Sequence, residues 1–223
     1  MTFLRQTWAS ALRDLRIEGR AGEVSSVVLP FAGVAVFVVP LATDTLDTRL
    51  ADIAWPIYWL VALLFGMQVT LRQTATETQT QRRHLTLLGI DPAARFTGRA
   101  LSAAVLMLGV LIVTAPLVIL FYDPDPVPRL WIMLPVLVLF SAGLAMLATL
   151  AGDVTVGLRA RSALAPLIVA PLAVPLLVGA SQTLESLSRG DGTLTPILLL
   201  VMTDLALSAT VALAARPLED ATT

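Results

Sequence analysis

Few residues of this 223-residue chain are equipped for chemistry, and they stand far apart. His84 is the single histidine, and there is no cysteine. Thiolate metal sites, cysteine nucleophiles and disulfides are therefore excluded. All fifteen basic residues are arginine. A phosphate-binding loop of the form G-x-x-x-x-G-K-[ST] needs its lysine to reach the β- and γ-phosphates, so this chain has none to offer. If ATP drives it, another subunit holds the nucleotide. Asp204 lies near the middle of a long apolar run, where an ionisable group is costly and is a functional candidate by default. It could pair with an arginine near a helix end, line a hydrated path, be protonated, or bond a neighbouring helix. Gln68, in another apolar run, has the same range of uses. Intramembrane proteolysis finds no support: a lone histidine in a polar connection serves neither a serine–histidine pair nor H-E-x-x-H, and G-x-G-D does not occur.

The elements that would position these residues are membrane helices. Hydrophobic residues make up 57% of the chain, charged residues 14%, and the mean hydropathy is +0.83. A soluble domain carries about a quarter charged residues. A bilayer core about 30 Å thick takes roughly 20 apolar residues per helix. Six segments reach or approach that length: 24–42, 53–71, 100–121, 130–151, 162–180 and 194–215. No alternation of polarity suggests a barrel. The fold expected is an all-α integral membrane protein with six spans in one permease-like domain, 1–223. No cleavable signal peptide is read, because the first apolar run begins near Val24 after a long charged stretch; the first span is expected to be retained.

Arginine placement sets the expected orientation. Twelve arginines fall on one side: Arg5, Arg13, Arg16, Arg20, Arg72, Arg82, Arg83, Arg95, Arg99, Arg159, Arg161 and Arg216. Three fall on the other: Arg49, Arg129 and Arg189. Both termini are thus expected in the cytoplasm, with Asp44, Asp47, Asp52, Asp123, Asp125, Glu185 and Asp191 outside. Asp153 reads as a solvated loop charge near Arg159 and Arg161.

Three local patterns stand out. At about 100° per residue, Leu4, Trp8, Ala11, Leu12 and Leu15 share one arc of an N-terminal helix over residues 1–22, and Arg5, Arg13, Arg16 and Arg20 share the next. Such a helix lies in the membrane interface, with Trp8, Arg13 and Arg16 as its anchors. The connection 72–99 holds a basic amphipathic stretch, 81–95. Leu85, Leu88 and Pro92 offer an apolar anchor and Arg82, Arg83 and Arg95 offer charge, either to an acidic partner or to lipid headgroups. Asp91-Pro92 is expected to end that helix, since the residue before proline leaves the α region. The fifth apolar segment carries Pro166, Pro171 and Pro175. Each removes a backbone donor, so this span is expected to be kinked or broken and to face other helices.

That fifth segment, R-x-x-x-L-x-P-L-x-x-x-P-L-x-x-P-L-L, resembles the CcmB family, the B-type permease subunit of the haem exporter in cytochrome c maturation. Leu12-Arg13-Asp14-Leu15-Arg16-Ile17-Glu18 is similar to the family's opening helix. Leu87-Leu88-Gly89-Ile90-Asp91-Pro92 followed by Gly98-Arg99 is similar to its second-connection motif. Asp204 and Leu218-Glu219 match positions near its end. The chain departs from the family at Glu77-Thr78-Gln79-Thr80-Gln81-Arg82-Arg83, where an acidic stretch is usual. The resemblance implies a type-2 ABC exporter-like fold whose coupling helix, Arg82 to Arg95, docks an ABC ATPase subunit. It implies a homodimer within the complex, a haem-handling membrane subunit, a periplasmic haem chaperone, and a site in the bacterial inner membrane. The permease itself has no nucleotide site and is not an enzyme. Haem is then cargo, or is released with its chaperone, and no bound cofactor or metal is expected. His84 reads as a surface residue of the docking helix rather than an axial ligand. Met67, Met107, Met133, Met146 and Met202 read as packing. A six-span exporter permease for a lipid or other small molecule is the alternative, and nothing points to nucleic acid.

Overall fold

In a computed structural model, the described residues are 3–42, 49–76, 91–124, 127–155 and 161–220. Among them every regular element is helical. Helix α1 (Phe3–Ala21) precedes a π-turn segment, Val24–Val28, that runs into α2 (Leu29–Ala42). Then come α3 (Arg49–Thr76), α4 (Pro92–Tyr122), α5 (Leu130–Val154), α6 (Arg161–Leu172), α7 (Val174–Arg189) and α8 (Leu194–Asp220). Five helical stretches are long and apolar enough to cross a membrane: Val24–Ala42, Leu50–Thr70, Pro92–Tyr122, Leu130–Val154 and Leu194–Leu213. A bent pair, Leu164–Leu172 and Val174–Leu187, meeting at 43°, passes the same test of length and apolarity when taken together, for up to six. The chain is an integral membrane protein of helical type.

Helices α4 and α5 form the centre. Helix α4 touches α1, α2, α3, α5 and α8, and α5 touches α3, α4, α6, α7 and α8. Lipid tails are as apolar as leucine, so packing and hydrogen bonds hold such a bundle rather than water exclusion. The core is accordingly dense with rings and small residues. Trp59 lies 4.9 Å from Phe140 and 5.0 Å from Tyr58 between ring centroids. Met107, Leu144 and Leu147 close around them. The outward faces carry Phe31, Val34, Leu60, Leu64, Leu120, Leu134 and Leu205, as a lipid-facing surface requires.

Hydrogen bonding explains two tertiary ties. Pro40 has no N–H, so the Val36 carbonyl one turn earlier loses its helical donor. The Tyr122 hydroxyl donates to that carbonyl at 2.9 Å, fastening the end of α4 to α2. Similarly, the Tyr58 hydroxyl donates to the Leu111 carbonyl at 3.0 Å and ties α3 to α4.

The prolines of the fifth span do break it, at Ala173 between Pro171 and Pro175. The backbone is bent without being unwound: Ala173 N–H still bonds Val169 O at 2.8 Å, and Leu177 N–H bonds Ala173 O at 3.0 Å. Its expected enclosure by other helices needs correction. Ala165, Val169, Ala173 and Leu176 are buried, but Pro171 is exposed and Leu167 is 70% exposed. The bend wraps one face onto the bundle and turns the other outward. Helix α7 then continues to Arg189, so only 190–193 separate it from α8.

Tyr122→Phe should lower the detergent unfolding midpoint by an amount equivalent to about 1 kcal/mol, because it orphans the Val36 carbonyl. Adding Pro40→Ala supplies a backbone N–H and should recover most of that loss. Equal losses in the single and double variants would disprove the assigned role of the hydroxyl.

Candidate functional site

The arginine-rich end of the bundle gathers α1, the start of α4 and the end of α5 into one corner. Asp91 adopts an extended conformation and its carboxylate accepts from Ala93 N–H at 3.0 Å, with Pro92 at the first helical position. This is a side-chain cap followed by a residue with no donor to satisfy. The 31-residue helix that begins there is about 46 Å long at 1.5 Å per residue, well beyond a hydrocarbon core. Its first turns therefore reach out of the apolar layer. There Arg95 and Arg99 are buried. Arg99 forms an ion pair with Asp153 of α5, whose side chain is 12% exposed. Ser102 donates to Gln73 Oε1 at 3.4 Å, bringing in the end of α3.

Helix α1 is pressed onto this corner. A Cβ on Gly98 would stand 2.6 Å from Ser10 Cβ and 2.7 Å from the Thr7 carbonyl oxygen, so only glycine admits this approach. Asp91 N–H donates to Gln6 Oε1 at 3.3 Å. The helix thus has three faces. Ala11, 1% exposed, shares the inner face with Thr7 and Ser10. Leu4 and Trp8 turn outward, 77% and 63% exposed. Arg5, Arg13, Arg16 and Arg20 are exposed beside them. Glu18 accepts from Val24 N–H and so caps the start of the first span across the turn at Gly22.

A second locus lies inside the membrane layer. Asp204 Oδ1 is buried and has no hydrogen-bond partner. It occupies the notch left by Gly143 of α5, and Leu176 of α7 closes the same notch: a Cβ on Gly143 would collide with both. One turn on, the Ser208 hydroxyl contacts Met146 Sδ at 3.4 Å and donates to the Asp204 carbonyl at 2.8 Å. No cluster of metal-ligating residues occurs among the described residues.

The family model for the CcmB protein matches residues 5–218. The chain belongs to the CcmB family. It is 32% identical over 192 residues to a heme exporter protein B of Rhodobacter capsulatus, covering 84% of this chain and 86% of that one. It is also 32% identical over 202 residues to a heme exporter protein B of Paracoccus denitrificans, covering 89% and 91%.

The structure places the sequence-selected residues of this CcmB-family chain unevenly. Arg82, Arg83, His84, Leu85 and Leu88 lie outside the described residues, as does any helix end just before Asp91. Asp91 and Pro92 open α4, a role that the expected helix stop did not include. Arg95 belongs to the first turns of α4 and is only 8% exposed. Asp153 is corrected from a solvated loop charge to the buried partner of Arg99. Gln68 is exposed one turn before Arg72, near the end of its span. Arg13 bonds Asp14 at 3.0 Å while Trp8 and Arg16 stay exposed. Met107 and Met133 are core residues and Met202 faces outward.

Asp153→Ala leaves Arg99 without its carboxylate in a buried site and should cost about 3–5 kcal/mol, seen as poor accumulation or early thermal unfolding. Unchanged stability would show that the pair is solvated. Gly143→Ala should destabilise by about 1–3 kcal/mol through overpacking against Asp204 and Leu176. Gly143→Ala combined with Asp204→Ala should fare better than Gly143→Ala alone; equal melting of the two would remove Asp204 from the notch.

Proposed function

We propose that this chain is the membrane permease subunit of an ABC-type haem exporter serving cytochrome c maturation. Family membership across residues 5–218 is the observation that carries the reading, and the names of both relatives agree with it. The chain acts as a transport component. ATP hydrolysis belongs to a partner ABC ATPase subunit with its own nucleotide loops. The arginine-rich end faces the cytoplasm of a bacterial inner membrane, because basic connections are retained on that side.

In this reading the segment around Arg82, Arg83, Leu85 and Leu88 docks in the ATPase, with two permeases and two ATPases in the complex by analogy. The segment runs through Asp91 directly into the capped start of α4. A displacement of the docked segment is therefore delivered to α4, the helix that touches most of the bundle. Haem, or a haem-loaded periplasmic chaperone released from a haem-handling membrane subunit, is the cargo. No resident cofactor is assigned to this chain.

The test is a haem stain of membrane c-type cytochromes in a strain lacking the gene. Covalent haem should disappear and return when the gene is restored. In the restored strain, Leu88→Asp should lose the cytochromes and the copurifying ATPase together. Cytochromes untouched by deletion would overturn the haem assignment.

A further inference from the structure

Helix α1 has an outward surface with a one-sided charge. Its two acidic residues are both occupied: Asp14 is held by Arg13 at 2.9 Å, and Glu18 by the Val24 N–H. Arg5, Arg16 and Arg20 are left as the exposed charges, flanking the exposed side chains of Leu4 and Trp8. An apolar strip bordered by arginines fits a leaflet whose headgroups are anionic. The inner face of the same helix is locked to α4 by the Gly98 contact and by Gln6 on the Asp91 N–H. Asp91 is the residue at which the docking segment joins α4.

We propose that α1 is a lipid-reading element: anionic phospholipid headgroups engaged by Arg5, Arg16 and Arg20 set the position of the Asp91 junction and so make ATP turnover by the complex depend on anionic lipid. The inference rests on the ATPase-docking reading above. Locked to α4 at Gly98, helix α1 cannot settle into the interface without carrying the start of α4 with it. A zwitterionic leaflet offers the arginines no net counter-charge. Leu4 and Trp8 alone then hold α1 to the leaflet, and the Asp91 junction loses its preferred position.

The experiment uses the whole complex in nanodiscs of phosphatidylcholine, with or without phosphatidylglycerol, and measures ATP turnover and retention of the ATPase subunit. The wild-type complex should turn over ATP several-fold faster with phosphatidylglycerol present. Arg5→Gln, Arg16→Gln and Arg20→Gln together should hold it at the phosphatidylcholine rate in both discs, and the matching lysine triple should restore the response. Gly98→Leu keeps the arginines but wedges α1 away, and should flatten the response; Gln6→Leu, a milder change at the same contact, should weaken it. Wild-type rates equal in both discs, or a full lipid response in the glutamine triple, would overturn the proposal. If the ATPase subunit fails to stay bound to the wild-type chain in either disc, the docking reading falls, and this proposal with it. If the subunit is retained but rates ignore lipid, only the lipid proposal falls.

Discussion

Hydrocarbon supplies no hydrogen-bond partner, and the rest of this structure depends on that constraint. Each intramembrane polar group must find its partner in the protein or remain costly. The Val36 carbonyl, released by Pro40, is met by Tyr122 from another helix. Buried hydroxyls such as Thr70 and Thr114 turn back to carbonyls of their own helix. Charges gather at the arginine-rich end, where Arg99 and Asp153 neutralise one another inside the bundle. Asp204, like Trp59 Nε1 and Thr149 Oγ1, departs from this rule: its buried oxygen has no partner, in a notch that only glycine at position 143 leaves open. A group held at that cost, against the helix that follows a proline bend, is where a bundle of otherwise uniform alanine, leucine and valine has a chemical handle.

The same constraint shapes how force can pass through the chain. Helices in lipid associate through close packing rather than water exclusion, so a small residue at a crossing decides which helices move together. Gly98 makes α1 and α4 neighbours at backbone distance, while the ion pair to Asp153 joins α4 to α5. The corner is therefore a stiff block made of three elements. One side carries the outward face of α1, another continues into the bundle core, and the third joins the segment proposed above to dock the ATPase. A permease worked from outside by an ATPase needs such a block, because a push on a flexible loop would be lost before it reached the spans.

Much of this architecture is legible in the sequence. Segment length and apolarity locate the spans, because a bilayer imposes both on any helix that crosses it. Pro171 and Pro175 announce the break at Ala173, since proline acts locally and needs no knowledge of neighbours. What escapes is non-local. Asp153 lies close in sequence to Arg159 and Arg161, yet it also pairs with Arg99, more than fifty residues away. Helix α1 is legible on its basic arc, but Ala11, read on the arc of Leu4 and Trp8, turns inward beside Thr7 and Ser10, two residues that carry no hydropathy signal. Small residues show their packing role only when the opposing glycine is in place. Asp91-Pro92 illustrates a subtler limit. A pair that disfavours the continuation of one helix also starts another, so the helix that carries the third span begins at Pro92, capped by Asp91.

A stiff corner requires α1, the start of α4 and the end of α5 to move as one body when the ATPase cycles. The chain has no cysteine, so labelled pairs can be introduced cleanly. Gly19 has open space where a side chain would project, and Val154 is exposed at the end of α5. The decisive measurement is the spin-label distance between Gly19→Cys and Val154→Cys in the assembled complex, nucleotide-free and with a non-hydrolysable ATP analogue. A corner that moves as one body gives a single narrow distance distribution, the same in both states. A distribution that shifts or splits on nucleotide binding would show that the corner flexes, and that the docking segment is not coupled to the bundle through it.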